Sequence, residues 1–218
     1  MVARSCDPGP AGSCGGSLSI PPVRSVGEAG CVAVIPARYA SSRLPGKPLA
    51  DLGGVPMIEH VRRRVLAAGL VDRVLVATDD VRICDVVRDF GGDVVLTGDA
   101  PNGTCRVRAS LEEQGLPARI LNVQGDMPLL DPAHVEAVAE LLFAGAPIAT
   151  LAVPLEGDPT DPHLVKIVWD GAGRAMYFSR AAVPWRGPWY RHLGVYGFSA
   201  DALKDATTVA PSPLERSE

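Results

Sequence analysis

Short apolar runs alternate with amphipathic stretches along the first two thirds of this chain. Five runs are predicted as strands: CVAVI (31–35), RVLVATDD (73–80), DVVLT (93–97), RILNVQGD (119–126) and PIATLAVP (147–154). A short continuous apolar run is typical of a strand that is buried on both faces. The pattern therefore indicates a sheet covered by helices on both sides.

Helical periodicity fills the intervals between these strands. The predicted helices are PMIEHVRRRVLAAG (56–69), VRICDVVRDFGG (81–92), TCRVRASLEEQG (104–115) and DPAHVEAVAELLFAG (131–145). Gly69 is predicted to end the first helix, whose apolar face comprises Met57, Ile58, Val61, Val65 and Leu66. Asp131 is a predicted N-cap with Pro132 at the first helical position. Strands that alternate with helices predict a right-handed, mostly parallel α/β sheet.

The pattern changes beyond residue 160. VKIVWDGAGRAMYFS (165–179) predicts two strands joined by a turn at 170–173, because Asp and Gly favour tight turns. HLGVYGFS (192–199) predicts a further strand, and ADALKDAT (200–207) a short helix. We therefore expect a mixed or antiparallel extension of the parallel sheet.

Composition narrows the classes of protein that fit. The 218 residues suit one domain, and the net charge of -4 argues against a dedicated nucleic-acid coat. Residues 1–30 contain no long apolar run, so they are predicted as a flexible tail and not as a secretory signal peptide. No stretch reaches the length of a membrane span. We expect a cytoplasmic protein with neither nucleic acid nor membrane as a partner.

Three cations follow the first strand, in the segment VIPARYASSRLPGKPL. Arg38, Arg43 and Lys47 lie at the carboxyl end of a predicted parallel strand, where open α/β sheets bind ligands. Such a cluster suits a polyphosphate. A Walker A loop is excluded because Pro48 follows Gly46-Lys47, and no GxGxxG follows the strand. The alternative is a solvated basic loop, although Pro36, Pro45 and Pro48 stiffen this segment.

Carboxylates close two other strands. Asp126 ends the fourth predicted strand beside Gln124, where a carboxylate opposite the cationic loop is placed to hold Mg2+ against phosphate oxygens. The alternative for Asp126 is a helix cap or turn residue. Asp79 and Asp80 end the second strand, and Asp79 is equally consistent with an N-cap of the following helix.

The motifs of the whole chain resemble one enzyme family. Between about residues 31 and 218 the sequence is similar to 3-deoxy-manno-octulosonate (KDO) cytidylyltransferases in VIPARYASSRLPGKPL, VATDD, NGTCR, NVQGDMPLL, TLAVP, VKIVWD, YFSRAAVPW, RHLGVYGF and PSPLE. The resemblance implies a nucleotidyltransferase fold and Mg2+-dependent transfer of CMP from CTP to the sugar acid, with release of pyrophosphate. It divides the domain into a nucleotide-binding part (31–155) and an acceptor-binding part (156–218).

The resemblance also assigns roles to individual residues. It implies that Arg38, Arg43 and Lys47 face the CTP phosphates and that Asp126 holds the metal. The remaining predicted nucleotide-binding residues are Pro36, Ala37, Asp79, Arg106 and Gln124. The predicted acceptor-binding residues are Arg180, for the carboxylate, with His192, Tyr196 and Glu215. The alternatives are a core aromatic for Tyr196 and a structural role for His192.

The sequence departs from the family at two places. Met127 stands where the family usually has glutamate after the metal-binding aspartate. PSPLERSE (211–218) lies inside a longer family motif, and the family's second metal-binding aspartate and its dimer-forming final helix fall beyond residue 218. A homodimer is therefore a family expectation only. Two alternative functions follow: CMP transfer to a phosphonate such as phosphonoformate in antibiotic biosynthesis, or a degenerate, non-catalytic nucleotide-binding protein.

Overall fold

The computed structural model describes residues 30–40, 44–112, 115–210 and residue 213. Each predicted strand and helix is confirmed there, with ends that shift by a few residues. The strands are β1 (Cys31–Ala37), β2 (Arg73–Thr78), β3 (Asp93–Leu96), β4 (Arg119–Val123), β5 (Ile148–Pro154), β6 (Lys166–Trp169), β7 (Ala175–Ser179) and β8 (Tyr190–Ser199). The helices are α1 (Met57–Leu66), α2 (Val81–Asp89), α3 (Gly103–Glu112), α4 (Pro132–Phe143) and α5 (Ala200–Thr208). An additional 3-10 helix spans Lys47–Leu49.

The described strands form one mixed sheet. Its order is β3-β2-β1-β4-β8-β6-β7, and β5 pairs with β8. β1 runs parallel to β2 and β4, and β2 runs parallel to β3, whereas β8 is antiparallel to β4, β5 and β6. The predicted fold class, a mostly parallel α/β sheet with an antiparallel extension, is therefore confirmed.

Helices cover both faces of the sheet. One face packs against α1, α2 and α4 through side chains such as Ile58, Ile83 and Val135. The other packs against α3 and α5 through side chains such as Val107 and Leu203. All seven residues of β1 are buried. This burial on both faces explains why β1 is a continuous apolar run in the sequence.

The apolar face of α1 differs from the prediction at its end. Ile58, Val61 and Val65 are fully buried, as predicted, but Leu66 is 49% exposed and the helix ends there, before Gly69. The flank that Leu66 continues is filled instead by Glu59 and Arg62, which are both buried. The Arg62 Nε donates to Glu59 Oε2 over 2.6 Å, so the buried charges are paired.

The last third of the chain is built into the sheet of the first part. β8 lies between β4 and β5, although it follows both in sequence. Lys166, at the start of β6, is fully buried, and its Nζ donates to the carbonyl oxygens of Asp161, Leu164 and Arg180. These bonds satisfy the ammonium group, so a buried lysine is tolerated here. The division at residues 155 and 156 stays a prediction.

A half-buried histidine joins β5 to β8 where their register shifts. The Thr150 hydroxyl donates to the carbonyl of Val195 and lies 2.8 Å from His192 Nε2, so the imidazole is the donor in that contact. The His192 ring also packs edge-on against Phe178. Burial lowers the pKa of His192 from 6.5 to about 4, which keeps the imidazole neutral at neutral pH.

No helix in the described ranges has the length and apolar character that a membrane crossing requires.

The lowered pKa of His192 leads us to expect that acid destabilises the folded protein. Because the pKa of His192 is lowered on folding, the unfolded chain binds the proton first, and stability falls as the pH drops from 6.5 towards 4. We expect the free energy of unfolding to decrease by about 1–2 kcal/mol between pH 6.5 and pH 5 from this group. His192→Gln, which keeps a donor towards Thr150, should flatten the dependence in urea titrations. His163→Gln, at an exposed position, is the matched control and should leave it unchanged.

Candidate active site

A cavity of about 480 Å³ opens at the carboxyl ends of β1 and β4. Its walls come from three segments: residues 36–38 with Leu44, Lys47 and Pro48 after β1, residues 100–103 with Arg106 of α3, and residues 124–126 after β4. The parallel pairing of β1 with β4 directs both strand ends to the same edge of the sheet. This is the edge at which open α/β sheets bind their ligands.

The cavity brings together most of the predicted nucleotide and metal residues. They are Pro36, Ala37, Arg38, Lys47, Arg106, Gln124 and Asp126. Arg43 lies outside the described residues. Sequence reasoning missed Leu44 and Pro48 as lining residues, and Ala100 and Pro101 in the second wall, whereas the NGTCR motif that begins at Asn102 was part of the resemblance. The signal for that wall was the Pro-Asn-Gly turn before α3, where Asn102 Oδ1 accepts from the backbone N–H of Cys105 as a helix cap does.

Opposite charges meet across the cavity. The Lys47 Nζ lies 2.8 Å from Asp126 Oδ2, and the two side chains are 36% and 53% exposed. Gly46, with φ of +72°, begins the 3-10 helix that carries Lys47, a conformation that favours glycine. Asp126 is therefore neither a helix cap nor only a turn residue: it faces a cation from the first loop. At this exposure the pair is weak enough to exchange partners.

Arg106 belongs to the cavity wall but is almost entirely buried. Its side chain is 4% exposed, and the guanidinium donates to Asp79 Oδ2 over 2.6 Å, to Thr97 Oγ1 over 2.5 Å and to the carbonyl of Gly98 over 3.3 Å. Asp79 therefore binds Arg106, and the alternative interpretation of Asp79 as the N-cap of α2 is wrong. Asp80 is the cap, since its Oδ1 accepts from Arg82 N.

Gln124 is held by a relay of side-chain amides. Its Nε2 donates to Asn122 Oδ1 over 3.0 Å, and Asn122 Nδ2 donates to Thr104 Oγ1 at the start of α3. The backbone N–H of Gln124 donates to the carbonyl of Gly194 in β8. A Cβ at Gly194 would lie 2.8 Å from the Gln124 Cγ, so only glycine leaves room for this side chain.

The predicted acceptor residues lie on β8 and around β7. The ring centroids of His192 and Tyr196 are 5.1 Å apart, and Tyr196 also stacks on Phe198 in the core. These contacts support the alternative structural roles of both residues. The Arg180 guanidinium donates to the carbonyl of Pro162, and Arg180 is not among the residues that line the cavity. Glu215 lies outside the described residues, so its role stays a prediction.

The oxygen donors of the cavity fit a magnesium ion that shares its coordination with a ligand. Among the described residues, no group of three or more His, Cys, Asp or Glu side chains could hold a metal by itself. Asp126 alone is half-exposed to the cavity. Mg2+ is usually bound through one or two carboxylates together with substrate phosphates and water, so a single carboxylate in a cavity lined by cations is compatible with it. Met127 packs against the core and takes no part in this donor set.

Comparisons with known proteins identify the family. The family model described as Cytidylyltransferase matches residues 32–218. A 3-deoxy-manno-octulosonate cytidylyltransferase of Vibrio parahaemolyticus is 45% identical over 205 residues, covering 85% of this chain and 80% of the relative. The enzyme of the same name from Parvibaculum lavamentivorans is 50% identical over 194 residues, covering 84% and 75%.

A solved structure agrees with the sequence relatives. It is CMP:2-keto-3-deoxy-manno-octonic acid synthetase complexed with CTP, with a TM-score of 0.82, 36% identity, and coverage of 86% of this chain and 81% of that chain. The resemblance inferred from the sequence motifs is confirmed. This chain belongs to the cytidylyltransferase family.

Proposed function

We propose that this protein transfers CMP from CTP to 3-deoxy-manno-octulosonate and releases pyrophosphate. The observation that carries the proposal is the cavity in which Arg38 and Lys47 face Asp126 at the carboxyl edge of the sheet. The relatives and the solved structure, which are named for this reaction and for CTP, support the choice of substrates.

The cations bind the triphosphate. Arg38 and Lys47 line the cavity, and Arg43 is predicted from sequence to belong to the same cluster. Fixed positive charges stabilise pyrophosphate most as it leaves, because negative charge accumulates there in the transition state. This binding gives the cationic loop a function that a solvated basic loop would not have.

Asp126 holds the metal in this proposal. When bound, Mg2+ supplies neutralisation of charge on the phosphate oxygens. Lys47 pairs with Asp126, so a metal ion held by Asp126 would displace the ammonium group, which would then be available to bind phosphate.

The transfer step forms one bond and breaks one. A hydroxyl oxygen of the acceptor attacks the α-phosphorus of CTP, the bond from that phosphorus to the bridging oxygen of the β-phosphate breaks, and the hydroxyl proton is released. The resemblance alone assigns the acceptor side to Arg180, His192, Tyr196 and Glu215. The half-buried neutral imidazole of His192 already donates to Thr150, so we assign it no part in proton transfer.

Other functions have less support. The named relatives are KDO enzymes, and nothing among them supports transfer to a phosphonate. A non-catalytic nucleotide-binding protein would not need Asp126 opposite Lys47. Cytoplasmic location and a homodimer remain predictions from sequence and resemblance.

The reaction itself is the first test. We expect pyrophosphate release from CTP only when Mg2+ and 3-deoxy-manno-octulosonate are both present. Phosphonoformate, and ATP, GTP or UTP in place of CTP, serve as parallel assays. Release with phosphonoformate alone would move the assignment to the phosphonate. Absence of release with either acid, with CTP and Mg2+ present, would leave the non-catalytic alternative standing.

Asp126→Asn tests the metal ligand. We expect kcat to fall at least about 100-fold, because loss of a direct ligand exceeds the 10- to 100-fold cost of losing an outer-shell partner. Asp131→Asn is the matched control, since asparagine also caps α4, and it should retain full activity. Wild-type kcat in Asp126→Asn would exclude Asp126 as the ligand.

Lys47→Met tests the exchange of partners. We expect CTP to bind about tenfold more weakly, because a charge-assisted contact to phosphate is lost. In the absence of nucleotide, Mn2+ should bind up to about fivefold more tightly, because the Lys47 ammonium no longer competes for the Asp126 carboxylate. Calorimetry measures the first effect and electron paramagnetic resonance of Mn2+ the second. Lys204→Met, which removes an exposed ammonium paired with Asp201, is the control and should change neither. Unchanged CTP binding in Lys47→Met would contradict the role of the loop.

A further inference from the structure

Arg106 and Asp79 form a charged pair whose polar atoms are bonded within the protein. The Arg106 side chain is 4% exposed and the Asp79 side chain is 22% exposed, with 2.6 Å between Nη2 and Oδ2. Nη1 is bound to Thr97 and to the carbonyl of Gly98. A guanidinium that is buried and bonded to three protein acceptors is unlike the exposed Arg38 and Lys47, which project into the cavity.

The pair and its partners connect the three loops that follow β1, β2 and β3. Asp79 follows β2, and its Oδ1 accepts from the backbone N–H of Tyr39, the residue after Arg38. Thr97 follows β3 and begins the loop that continues into the cavity wall at residues 100–103. The Thr97 hydroxyl also donates to the carbonyl of Thr78, so it can only accept from Arg106.

We infer that the Asp79–Arg106 pair is a positioning unit that fixes the nucleotide-binding loops through its bonds within the protein, and that neither charge contacts CTP. The inference rests on the proposed function and revises the roles that resemblance assigned to both residues. Arg106 holds the 97–103 loop against α3 through Thr97 and Gly98. Asp79 holds the Arg38 loop through Tyr39 N. Their mutual ion pair ties the two loops together.

Removal of the Asp79 charge tests this inference, because direct contact of Arg106 with phosphate predicts a change in CTP affinity of the opposite sign. If Arg106 bound phosphate directly, Asp79 would be a carboxylate that competes for the cation and repels the triphosphate. Its removal would then tighten CTP binding or leave it unchanged. If the pair positions the loops, removal of Asp79 weakens CTP binding even though a negative charge has been taken from the neighbourhood of a polyanion.

The experiment is a double-mutant cycle on CTP binding. Calorimetry with CTP and Mg2+, without acceptor, is carried out on the wild type, Asp79→Ala, Arg106→Ala and the double variant. We expect each single variant to raise the Kd for CTP by roughly tenfold. The double variant should bind CTP no more weakly than the weaker-binding single variant, since the effects of residues that act as a unit are not additive. In steady state the KM for CTP should rise while the KM for the acceptor stays within about twofold.

Two further variants protect the test against general loss of structure. Thr97→Val keeps the shape and charge of the site but removes the acceptor for Arg106, so we expect a smaller rise of roughly threefold in the Kd for CTP. Asp93→Ala is the matched control. Asp93 begins β3 and pairs with Arg73 at the start of β2, whereas Thr97 and Asp79 follow the other ends of these two strands. It should bind CTP as the wild type does.

The outcomes separate this inference from the proposed function. Wild-type protein that does not bind CTP would overturn both. Normal wild-type binding with Asp79→Ala unchanged or tighter would overturn the positioning role alone. The positioning role would also be overturned if Asp79→Ala and Asp93→Ala weakened CTP binding equally, because the effect would then be one of stability and not of loop position.

Discussion

The architecture depends on the parallel pairing of β1 with β2 on one side and β4 on the other. Parallel strands release their chains at the same edge, so the segments after β1, β2 and β4 must share the space above that edge. Arg38 and Asp126 are distant in sequence and line one cavity because of this register, and Asp79 reaches the same loop through its bond from Tyr39 N. Burial of β1 on both faces makes the register costly to shift, and the geometry of the site inherits that rigidity.

Electrostatics within the site follows from differences in burial. The Lys47–Asp126 pair is half-exposed and therefore weak, which suits groups that must release one another when a ligand arrives. The Arg106–Asp79 pair is shielded and has additional hydrogen bonds, which suits groups that must not move. A cation paired with an aspartate thus serves opposite purposes in the two places, and depth below the surface decides which.

The order of strands and helices was predictable from local patterns, whereas long-range placement was not. Runs such as CVAVI and the Asp131-Pro132 start of α4 carry their signals within a few residues, and both were correct. Leu66 was misplaced because the flank it extends is occupied by the Glu59–Arg62 pair, and a periodicity argument assumes that charged residues face solvent. The insertion of β8 between β4 and β5 has no local signal, since it depends on pairing across the chain.

The active-site residues were predictable as a set but not in their individual partners. Arg38, Lys47, Gln124 and Asp126 line one cavity, as their positions at strand ends indicated. Burial of Arg106 could not be foreseen, because sequence shows a cation and not what surrounds it. Gly194 has a similar lesson. Its missing side chain makes the volume that Gln124 fills, so part of the shape of this site is encoded by a hydrogen atom on the neighbouring strand. Replacement of Gln124 by a smaller residue would leave a cavity beside Gly194, whereas replacement of Gly194 first would create a clash with Gln124. During evolution, the order of these two substitutions is therefore constrained.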